Sequence, residues 1–229
     1  MQKRKVVVLT GAGISAESGI PTFRGVDGLW EGHRIEDVAS PEGFAKDPET
    51  VQRFYNIRRA ACRKAQPNLG HKALVELEKF ADVYIITQNI DDLHERAGSE
   101  NVLHLHGEIM KSQSSLHPNK VYDIVGDEIK MGDLCPDGSQ LRPHVVWFGE
   151  SVPNMDFAMQ LVGEADVFIV IGTSLQVYPA ASLIHYAKAD CKVYLLDPNA
   201  SNISVSSRVT LVAQNASVGV PFLVNLLTE

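Results

Sequence analysis

The stretch Val6-Val7-Val8-Leu9-Thr10-Gly11-Ala12-Gly13-Ile14-Ser15-Ala16 decides the fold. Its β-branched run predicts a buried strand, and the spacing Gly11-x-Gly13-x-x-Ala16 predicts a tight turn that opens a helix. This order is typical of a dinucleotide-binding unit, in which the N-terminus of the helix meets the pyrophosphate. The same spacing also fits an ordinary tight turn between strand and helix, so it does not establish a cofactor by itself.

The residues after this turn argue against a dehydrogenase. In that class an acidic residue about 20 positions further on closes a second strand. Residues 21–34 instead predict an ordered loop, which begins Pro21-Thr22-Phe23-Arg24-Gly25. The usual dehydrogenase mode of holding the cofactor is therefore disfavoured.

Short β-branched runs recur along the chain and predict buried parallel strands. They are Val6–Leu9, Val83–Ile86, Val145–Trp147, Val167–Ile171, Val193–Leu196 and Val209–Val212. Helical patterns lie between several of them, at Phe44–Lys64, His71–Phe80, Met155–Glu164 and Ala180–Ala189. The alternation predicts an α/β fold with a Rossmann-like, doubly wound parallel sheet and helices on both faces.

Two stretches interrupt this alternation and predict a small inserted lobe. Residues 32–68 form helix and loop, and residues 109–142 are rich in Ser, Asn, Asp, Gly and Pro. We therefore assign residues 1–31, 69–108 and 143–229 to the Rossmann-like domain, and the two interrupting stretches to the small lobe.

Polar residues follow the predicted strands at several points. The stretches are Gly11-Ala12-Gly13, Gln88-Asn89-Ile90-Asp91, Phe148-Gly149-Glu150, Gly172-Thr173-Ser174 and Asp197-Pro198-Asn199. Open α/β sheets bind ligands at the carboxyl ends of their strands. A binding cleft is therefore expected along that edge.

Composition narrows the class of protein. The formal net charge of -7 disfavours nucleic acid as a partner, since binding its backbone needs clustered Lys and Arg. The apolar run Val6–Leu9 behind Lys3-Arg4-Lys5 is too short for a signal peptide, and no run is long enough to span a membrane. The three scattered cysteines, Cys62, Cys135 and Cys191, predict no disulfide framework. A cytoplasmic protein is expected, and a monomer is favoured.

Three local patterns carry possible chemistry, each with a plainer alternative. Gln88–Asp91 offers amides and a carboxylate for an amide or ribose ligand, or else an Asx turn that caps a helix. His104 and His106 lie two apart, so either could be a base near neutral pH, and spacing does not choose between them. Tyr55 and Arg58 share a helix face and could bind a carboxylate, or could be an ordinary solvated face.

Taken together, the motifs resemble the sirtuin family from end to end. The residues that carry the resemblance are Gly11–Arg24 (GAGISAESGIPTFR), Gln88–Asp91 (QNID), His106-Gly107, Val146–Glu150 (VWFGE) and Gly172–Ser174 (GTS). The resemblance implies an enzyme that consumes NAD while it removes an acyl group from a protein lysine. Its products would be nicotinamide, free lysine and O-acyl-ADP-ribose.

The resemblance also implies the site residues. His106 matches the base that activates a ribose hydroxyl, with Asn89 as the second catalytic residue. The implied NAD-binding residues are Gly11, Ala12, Gly13, Ala16, Thr22, Phe23, Arg24, Trp30, Gln88, Asn89, Ile90, Asp91, Gly172, Thr173, Ser174, Asp197, Pro198, Asn199 and Ala216. Val146, Trp147, Phe148, Gly149 and Glu150 would clamp the acyl-lysine as an added strand.

One part of the chain resembles the sirtuin branch that removes succinyl and malonyl groups. The residues are Glu36-Asp37-Val38-Ala39 and Phe54-Tyr55-Asn56-Ile57-Arg58. Ala39 would leave room for a longer acyl chain, whereas Tyr55 and Arg58 would bind its carboxylate. Weak acetyl removal is expected beside it, and a mainly deacetylating enzyme is the alternative.

The zinc module departs from the family pattern. Sirtuins usually carry four cysteines there as two Cys-x-x-Cys pairs, which form a closed zinc site. Here only Cys135 is present, with Ser112 and Ser115 near the first pair and Gly138 near the end of the second. Serine is a poor zinc ligand, and the spacing of His117, Asp133 and Asp137 recommends no other site. No zinc and no other metal site is predicted.

Three rival functions remain, and each makes its own prediction. A dehydrogenase would produce NADH and no free nicotinamide. A sirtuin-like ADP-ribosyltransferase would modify a protein and leave its acyl-lysines intact. A silent protein that binds NAD or acyl-lysine would do neither.

Overall fold

A computed structural model describes residues 3–22, 30 and 32–229 of the chain. The strands are β1 (Arg4–Thr10), β2 (Ala81–Thr87), β3 (Val102–His104), β4 (Gly107–Ser114), β5 (Val121–Asp123), β6 (Leu141–Val145), β7 (Val167–Ile171), β8 (Lys192–Leu196) and β9 (Val209–Val212). The α-helices are α1 (Ala12–Ala16), α2 (Ile35–Val38), α3 (Pro41–Lys46), α4 (Pro48–Lys64), α5 (Leu69–Glu78), α6 (Leu93–Ala97), α7 (Met155–Gly163) and α8 (Ala216–Thr228). Short 3-10 helices span Ala180–Tyr186 and Ala200–Asn202.

Six strands form one parallel sheet in the order β3-β2-β1-β7-β8-β9. The strand order reverses between β1 and β7, so the sheet is wound in two directions from its centre. The carboxyl ends of these two strands therefore flank the point where open α/β sheets bind their ligands. The predicted α/β fold is confirmed.

Alternate residues of β1 face opposite sides of the sheet, as its pleat requires. Val7 and Leu9 pack in one apolar cluster with residues of α7 and of the 3-10 helix Ala180–Tyr186. Val6 and Val8 pack in a second cluster with residues of α5 and α8. Both faces are thus covered, which explains why the strands of this sheet are apolar without alternation.

The remaining helices and strands lie beside the sheet. Strands β5, β4 and β6 form a small antiparallel sheet in that order. A third apolar cluster joins this small sheet to α4. Val51 and Phe54 of α4 belong to the same cluster as Ile109 of β4 and Val145 of β6.

Three local predictions need correction, and one parallel strand was missed. Val145–Trp147 is not a parallel strand, because β6 ends at Val145 and pairs antiparallel with β4. The helix predicted over Phe44–Lys64 is two helices, since the side chain of Asp47 caps α4 and Pro48 begins it. The helical pattern at Ala180–Ala189 is a 3-10 helix that ends at Tyr186. The short parallel strand β3 was not predicted.

No helix within the described part of the chain is long and apolar enough to cross a lipid bilayer.

Candidate active site

A cleft of about 880 Å³ runs along the carboxyl edge of the parallel sheet and reaches the small lobe. Every one of the polar stretches that follow predicted strands contributes residues to its wall. The predicted site residues that line it are Gly11, Ala12, Gly13, Thr22, Trp30, Ala39, Tyr55, Arg58, Gln88, Asn89, Ile90, Asp91, His106, Val146, Trp147, Phe148, Gly149, Glu150, Gly172, Thr173, Ser174, Asp197 and Asn199.

Three predicted site residues do not line this cleft. Ala16 and Pro198 are exposed elsewhere, and Ala216 packs in the apolar cluster beneath α8. Phe23 and Arg24 lie outside the described residues.

The cleft also contains wall segments that the sequence analysis missed. The principal ones are 175–179 and 202–204. The first continues directly from Gly172-Thr173-Ser174, so extending that polar stretch along the chain would have found it.

The turn after β1 packs directly on the turn after β7. The N–H of Gly13 donates to the carbonyl oxygen of Gly172 over 2.9 Å, and Gly11 donates to Ile171 over 3.0 Å. A Cβ atom on Gly13 would lie only 2.6 Å from Cα of Gly172, and Gly172 has a positive φ of 61°. Side chains would force these turns apart, so the glycines keep bare backbone at this end of the cleft.

The segment Gln88–Asp91 follows β2 and is held from both sides. The side-chain amide of Asn89 donates to the carbonyl oxygen of Gly11 over 3.2 Å and to Oγ of Ser15 over 3.1 Å. Asp91 accepts a hydrogen bond from the N–H of Leu93 over 3.1 Å, and burial raises its pKa. Asp91 thus forms the Asx turn of the plainer alternative and also lines the cleft, although α6 begins after Asp92 without a side-chain cap.

His106 carries a neutral imidazole oriented by the backbone. Its Nδ1 donates to the carbonyl oxygen of Gln88 over 3.0 Å, which leaves the lone pair on Nε2. Burial lowers the pKa of His106, and the Gln88 hydrogen bond only partly opposes this shift. His106 therefore lines the cleft as an unprotonated base.

His104 has a different environment. Its Nδ1 donates to the carbonyl oxygen of Asn89 over 3.0 Å, and its Nε2 lies 2.7 Å from a carboxylate oxygen of Glu95. Burial alone would lower the pKa of His104, but the hydrogen bond and charge of Glu95 raise it overall. With both nitrogens donating, His104 has no free lone pair, whereas His106 keeps one on Nε2.

An aromatic group surrounds Arg58 on the small-lobe side of the cleft. The guanidinium carbon of Arg58 lies 4.3 Å from the ring centroid of Trp30 and 5.8 Å from that of Phe54. Tyr55 is fully buried, its hydroxyl accepts a hydrogen bond from Nε1 of Trp147 over 3.1 Å, and burial raises its pKa. A cation and a phenol therefore share one apolar compartment of the cleft.

Arg142 is a buried residue that the sequence analysis missed. It forms an ion pair with Glu150, and its guanidinium carbon lies 3.9 Å from the ring centroid of Trp147. The second carboxylate oxygen of Glu150 accepts the N–H of Trp147 over 2.8 Å. Arg142 and Glu150 together hold the loop 146–150 in shape. A lone arginine before an apolar run gives little signal for this role, because its partners follow several residues later.

Hydrogen bonds join the residues around Cys135, in the part of the small lobe where the resemblance implied a zinc module. Asp137 accepts hydrogen bonds from the thiol of Cys135 at 2.6 Å and from the hydroxyl of Ser139 at 2.7 Å, and it pairs with Lys120 at 2.9 Å. The Cys135, Lys120 and Ser139 hydrogen bonds hold the pKa of Asp137 well below its usual range. The hydroxyl of Ser112 donates instead to the carbonyl oxygen of Tyr122.

This donor set does not fit a tetrahedral zinc ion, since it offers a single thiol. Among the described residues, no group of three or more His, Cys, Asp and Glu side chains is arranged to hold a metal ion.

The family model described as the Sir2 family matches residues 11–179 of this sequence, which covers the cleft from the first glycine turn to Pro179. The chain belongs to the Sir2 family. The match includes His106, the segment Gln88–Asp91 and the loop Val146–Glu150, so the motifs that suggested a sirtuin lie within one family domain.

Bacterial relatives are similar over nearly their whole length. This sirtuin is 54% identical to an NAD-dependent protein deacylase of Helicobacter pylori over 213 residues, which is 93% of each chain. It is 49% identical to an NAD-dependent protein deacylase of Bacteroides thetaiotaomicron over 229 residues, which is 98% of each chain.

Solved structures share the fold. A Sir2 homolog in complex with NAD superposes with a TM-score of 0.84 at 45% identity, covering 97% of this chain and 88% of the other. A Sir2 mutant with a deacetylated p53 peptide and 3'-O-acetyl ADP ribose gives a TM-score of 0.80 at 31% identity, covering 98% and 94%.

Proposed function

We propose that this sirtuin is an NAD-dependent protein-lysine deacylase that prefers acyl groups ending in a carboxylate, chiefly succinyl and malonyl. The observation that carries the proposal is one cleft that contains a neutral histidine base and, in an apolar compartment, a buried guanidinium beside a phenol. The forked, permanently charged donors of Arg58 match the geometry of a carboxylate, so a carboxylate-terminated acyl chain suits this compartment better than an acetyl methyl group does.

The NAD end of the cleft is proposed to lie along the edge of the sheet. The backbone turns at Gly11–Gly13 and Gly172–Ser174 would face the phosphates and the adenosine ribose, where a close backbone approach is needed. Asn89 and Asp91 would face the nicotinamide and its ribose, with Gln88 and Ile90 beside them. Asp197 and Asn199 would approach the adenosine.

His106 supplies the base in this scheme. As nicotinamide leaves, the acyl oxygen bonds to the anomeric carbon, and Nε2 of His106 then accepts the proton of a ribose hydroxyl. The hydrogen bond to Gln88 supports this role because it fixes the proton on Nδ1 and keeps Nε2 basic. Asn89 would fix the ribose that carries this hydroxyl.

The acyl end is proposed to lie among the small-lobe residues. Arg58 would bind the terminal carboxylate with its forked donors, and the hydroxyl of Tyr55 would add one more. Trp30, assigned to NAD from the sequence, packs on Arg58, and we now assign it to the wall of the acyl compartment. The small side chain of Ala39 would leave room for the longer chain.

The peptide backbone on either side of the lysine is proposed to lie along Val146–Glu150. The N–H of Val146 donates to the carbonyl oxygen of His106 over 2.9 Å, and Phe148 donates to Ala39 over 3.0 Å. These bonds tie the loop to both the base and the acyl compartment, so a peptide pairing with the loop would carry its lysine between them.

We also propose that the small lobe needs no zinc. Asp137 accepts hydrogen bonds from the thiol of Cys135 and the hydroxyl of Ser139, and its ion pair with Lys120 joins this turn to the segment that contains Lys120. These contacts support a lobe that holds together without a metal.

The reaction is tested by incubating the protein with NAD and a succinyl-lysine peptide, with nicotinamide and peptide mass followed together. We expect one nicotinamide for each succinyl group lost, and a matching amount of O-succinyl-ADP-ribose. NADH formation would indicate a dehydrogenase, ADP-ribose attached to protein would indicate a transferase, and NAD binding without either product would indicate a silent binder.

A further inference from the structure

A buried chain of hydrogen bonds lies behind the segment Gln88–Asp91. Thr10 ends β1 and Thr87 ends β2, and the two residues are direct partners across the parallel pair. Both are fully buried, and the hydroxyl of Thr10 donates to Oγ1 of Thr87 over 2.8 Å. Valine side chains would pack equally well at these two positions, so packing does not explain the hydroxyls.

One end of this chain of hydrogen bonds is the backbone of the candidate site. The N–H of Asn89 donates to Oγ1 of Thr87 over 3.0 Å, so the Thr87 hydroxyl stabilises the turn of the polypeptide immediately after β2. The next two carbonyls orient the neighbouring histidines: that of Gln88 accepts from His106, and that of Asn89 accepts from His104. A shift of Asn89 would therefore move the base as well.

The other end of the chain is His94 of α6, whose Nε2 lies 3.0 Å from Oγ1 of Thr10. Since the Thr10 proton is donated to Thr87, Nε2 of His94 donates to Thr10. His94 is 1% exposed, and burial holds its pKa well below the usual value, so the ring is neutral. The ring of His71 packs against it at an interplanar angle of 60°, 4.9 Å away between ring centroids, and burial lowers the pKa of His71 to about 4. The line runs from His94 through Thr10 and Thr87 to the N–H of Asn89, without a charge.

We propose that His94, Thr10 and Thr87 are positioning residues for deacylation, and that the Thr87 hydroxyl sets the place of Asn89 and, through Gln88, of His106. This inference rests on the proposed roles of Asn89 and His106. None of the three residues lines the cleft, so they would act on turnover through the backbone of the segment 88–89 alone.

The test compares Thr87→Val with Thr87→Ser. Valine keeps the shape and removes the acceptor, whereas serine keeps the acceptor. For each variant, kcat and KM are measured with NAD and a succinyl-lysine peptide, and thermal unfolding is followed separately. We expect Thr87→Val to lower kcat by about tenfold to a hundredfold, as small misplacements of reacting groups do, with little change in KM for the peptide. Thr87→Ser should stay within about threefold of the parent, since its hydroxyl can make both bonds.

A second pair guards against a Thr87→Val protein that fails to fold. His94→Gln keeps an N–H donor for Thr10, and His94→Leu removes it, so only the leucine variant should lose kcat. A purely structural role predicts lower melting temperatures with unchanged kcat for each folded molecule, and that result would overturn the inference. Equal kcat for both members of each pair would do the same. If the unsubstituted protein releases no nicotinamide with any acyl peptide, the proposed function itself fails. This outcome is distinct from failure of the inference, because it is measured without any substitution.

Discussion

His106 and Gln88 are joined by a hydrogen bond from the imidazole Nδ1 to the backbone carbonyl oxygen, 3.0 Å away. The two residues are 18 positions apart, and β3 brings them together by pairing beside β2. This bond determines which nitrogen carries the proton, so the tautomer of the proposed base is a consequence of the sheet topology.

Replacing the base should stop turnover without unfolding the protein. We expect His106→Ala to lower kcat by about a thousandfold, within the range that general-base catalysis supplies. His104→Ala is the matched comparison, because His104 contacts Glu95 and the backbone but offers no lone pair; its loss should be about tenfold. Steady-state rates of nicotinamide release check both. A larger loss for His104→Ala would reverse the assignment of the base.

The pH dependence should reflect the lowered pKa of His106. Burial favours the neutral form, so the pKa of this group lies below its ordinary value of about 6.5. The base is active when unprotonated, so kcat/KM is expected to fall to half of its high-pH value only below about pH 6.5. A rate profile measured where circular dichroism shows intact structure checks this. A half-maximal rate above pH 7 would show that another group controls the rate.

Arg58 should govern the choice of acyl group. We expect Arg58→Met to reduce kcat/KM for a succinyl-lysine peptide by about a hundredfold, the loss expected for a charge-assisted bidentate contact of about 3 kcal/mol. The acetyl version of the same peptide lacks the carboxylate and should change little. Equal losses on the two peptides would remove Arg58 from the recognition of the acyl end.

Tyr55→Phe tests the second donor of the acyl compartment. The ring stays, while the hydroxyl that accepts from Trp147 is lost. We expect a loss of about tenfold on the succinyl peptide, because a hydrogen bond to a charged carboxylate is worth about 1.5 kcal/mol or more. Retained succinyl activity would mean that Arg58 acts without the phenol.

The small lobe should not depend on zinc. We expect the purified protein to contain far less than one zinc per chain by elemental analysis, and prolonged treatment with a chelator to change neither its activity nor its melting temperature. Asp137→Asn, which removes the charge facing Lys120, should lower the melting temperature by a few degrees. Stoichiometric zinc, or unfolding by the chelator, would contradict the proposal.

The sequence predicted the parallel sheet well because buried parallel strands must be apolar on both faces, and runs such as Val167–Ile171 show this directly. An apolar run does not indicate which strand it pairs with, which is why Val145–Trp147 was wrongly predicted to be a parallel strand. The break between α3 and α4 could have been found, since Asp47-Pro48 is a helix-start signal. Three residues were too few to reveal β3.

The site was predicted where its chemistry follows a strand within a few residues. Relations between distant segments were not accessible. The proposed choice of His106 over His104 depends on the Glu95 carboxylate beside Nε2 of His104, and the packing of Trp30 on Arg58 depends on tertiary contacts within the small lobe. Local sequence patterns identify the candidate functional side chains, whereas their hydrogen-bond and packing partners depend on the tertiary structure.

The most direct test of the central claim is the ratio of kcat/KM for succinyl-lysine over acetyl-lysine, measured on one peptide sequence with saturating NAD. We expect a ratio well above one that falls toward or below one in Arg58→Met. A ratio below one in the parent protein, unchanged by that substitution, would keep the Sir2 family and contradict the proposed preference for acidic acyl groups.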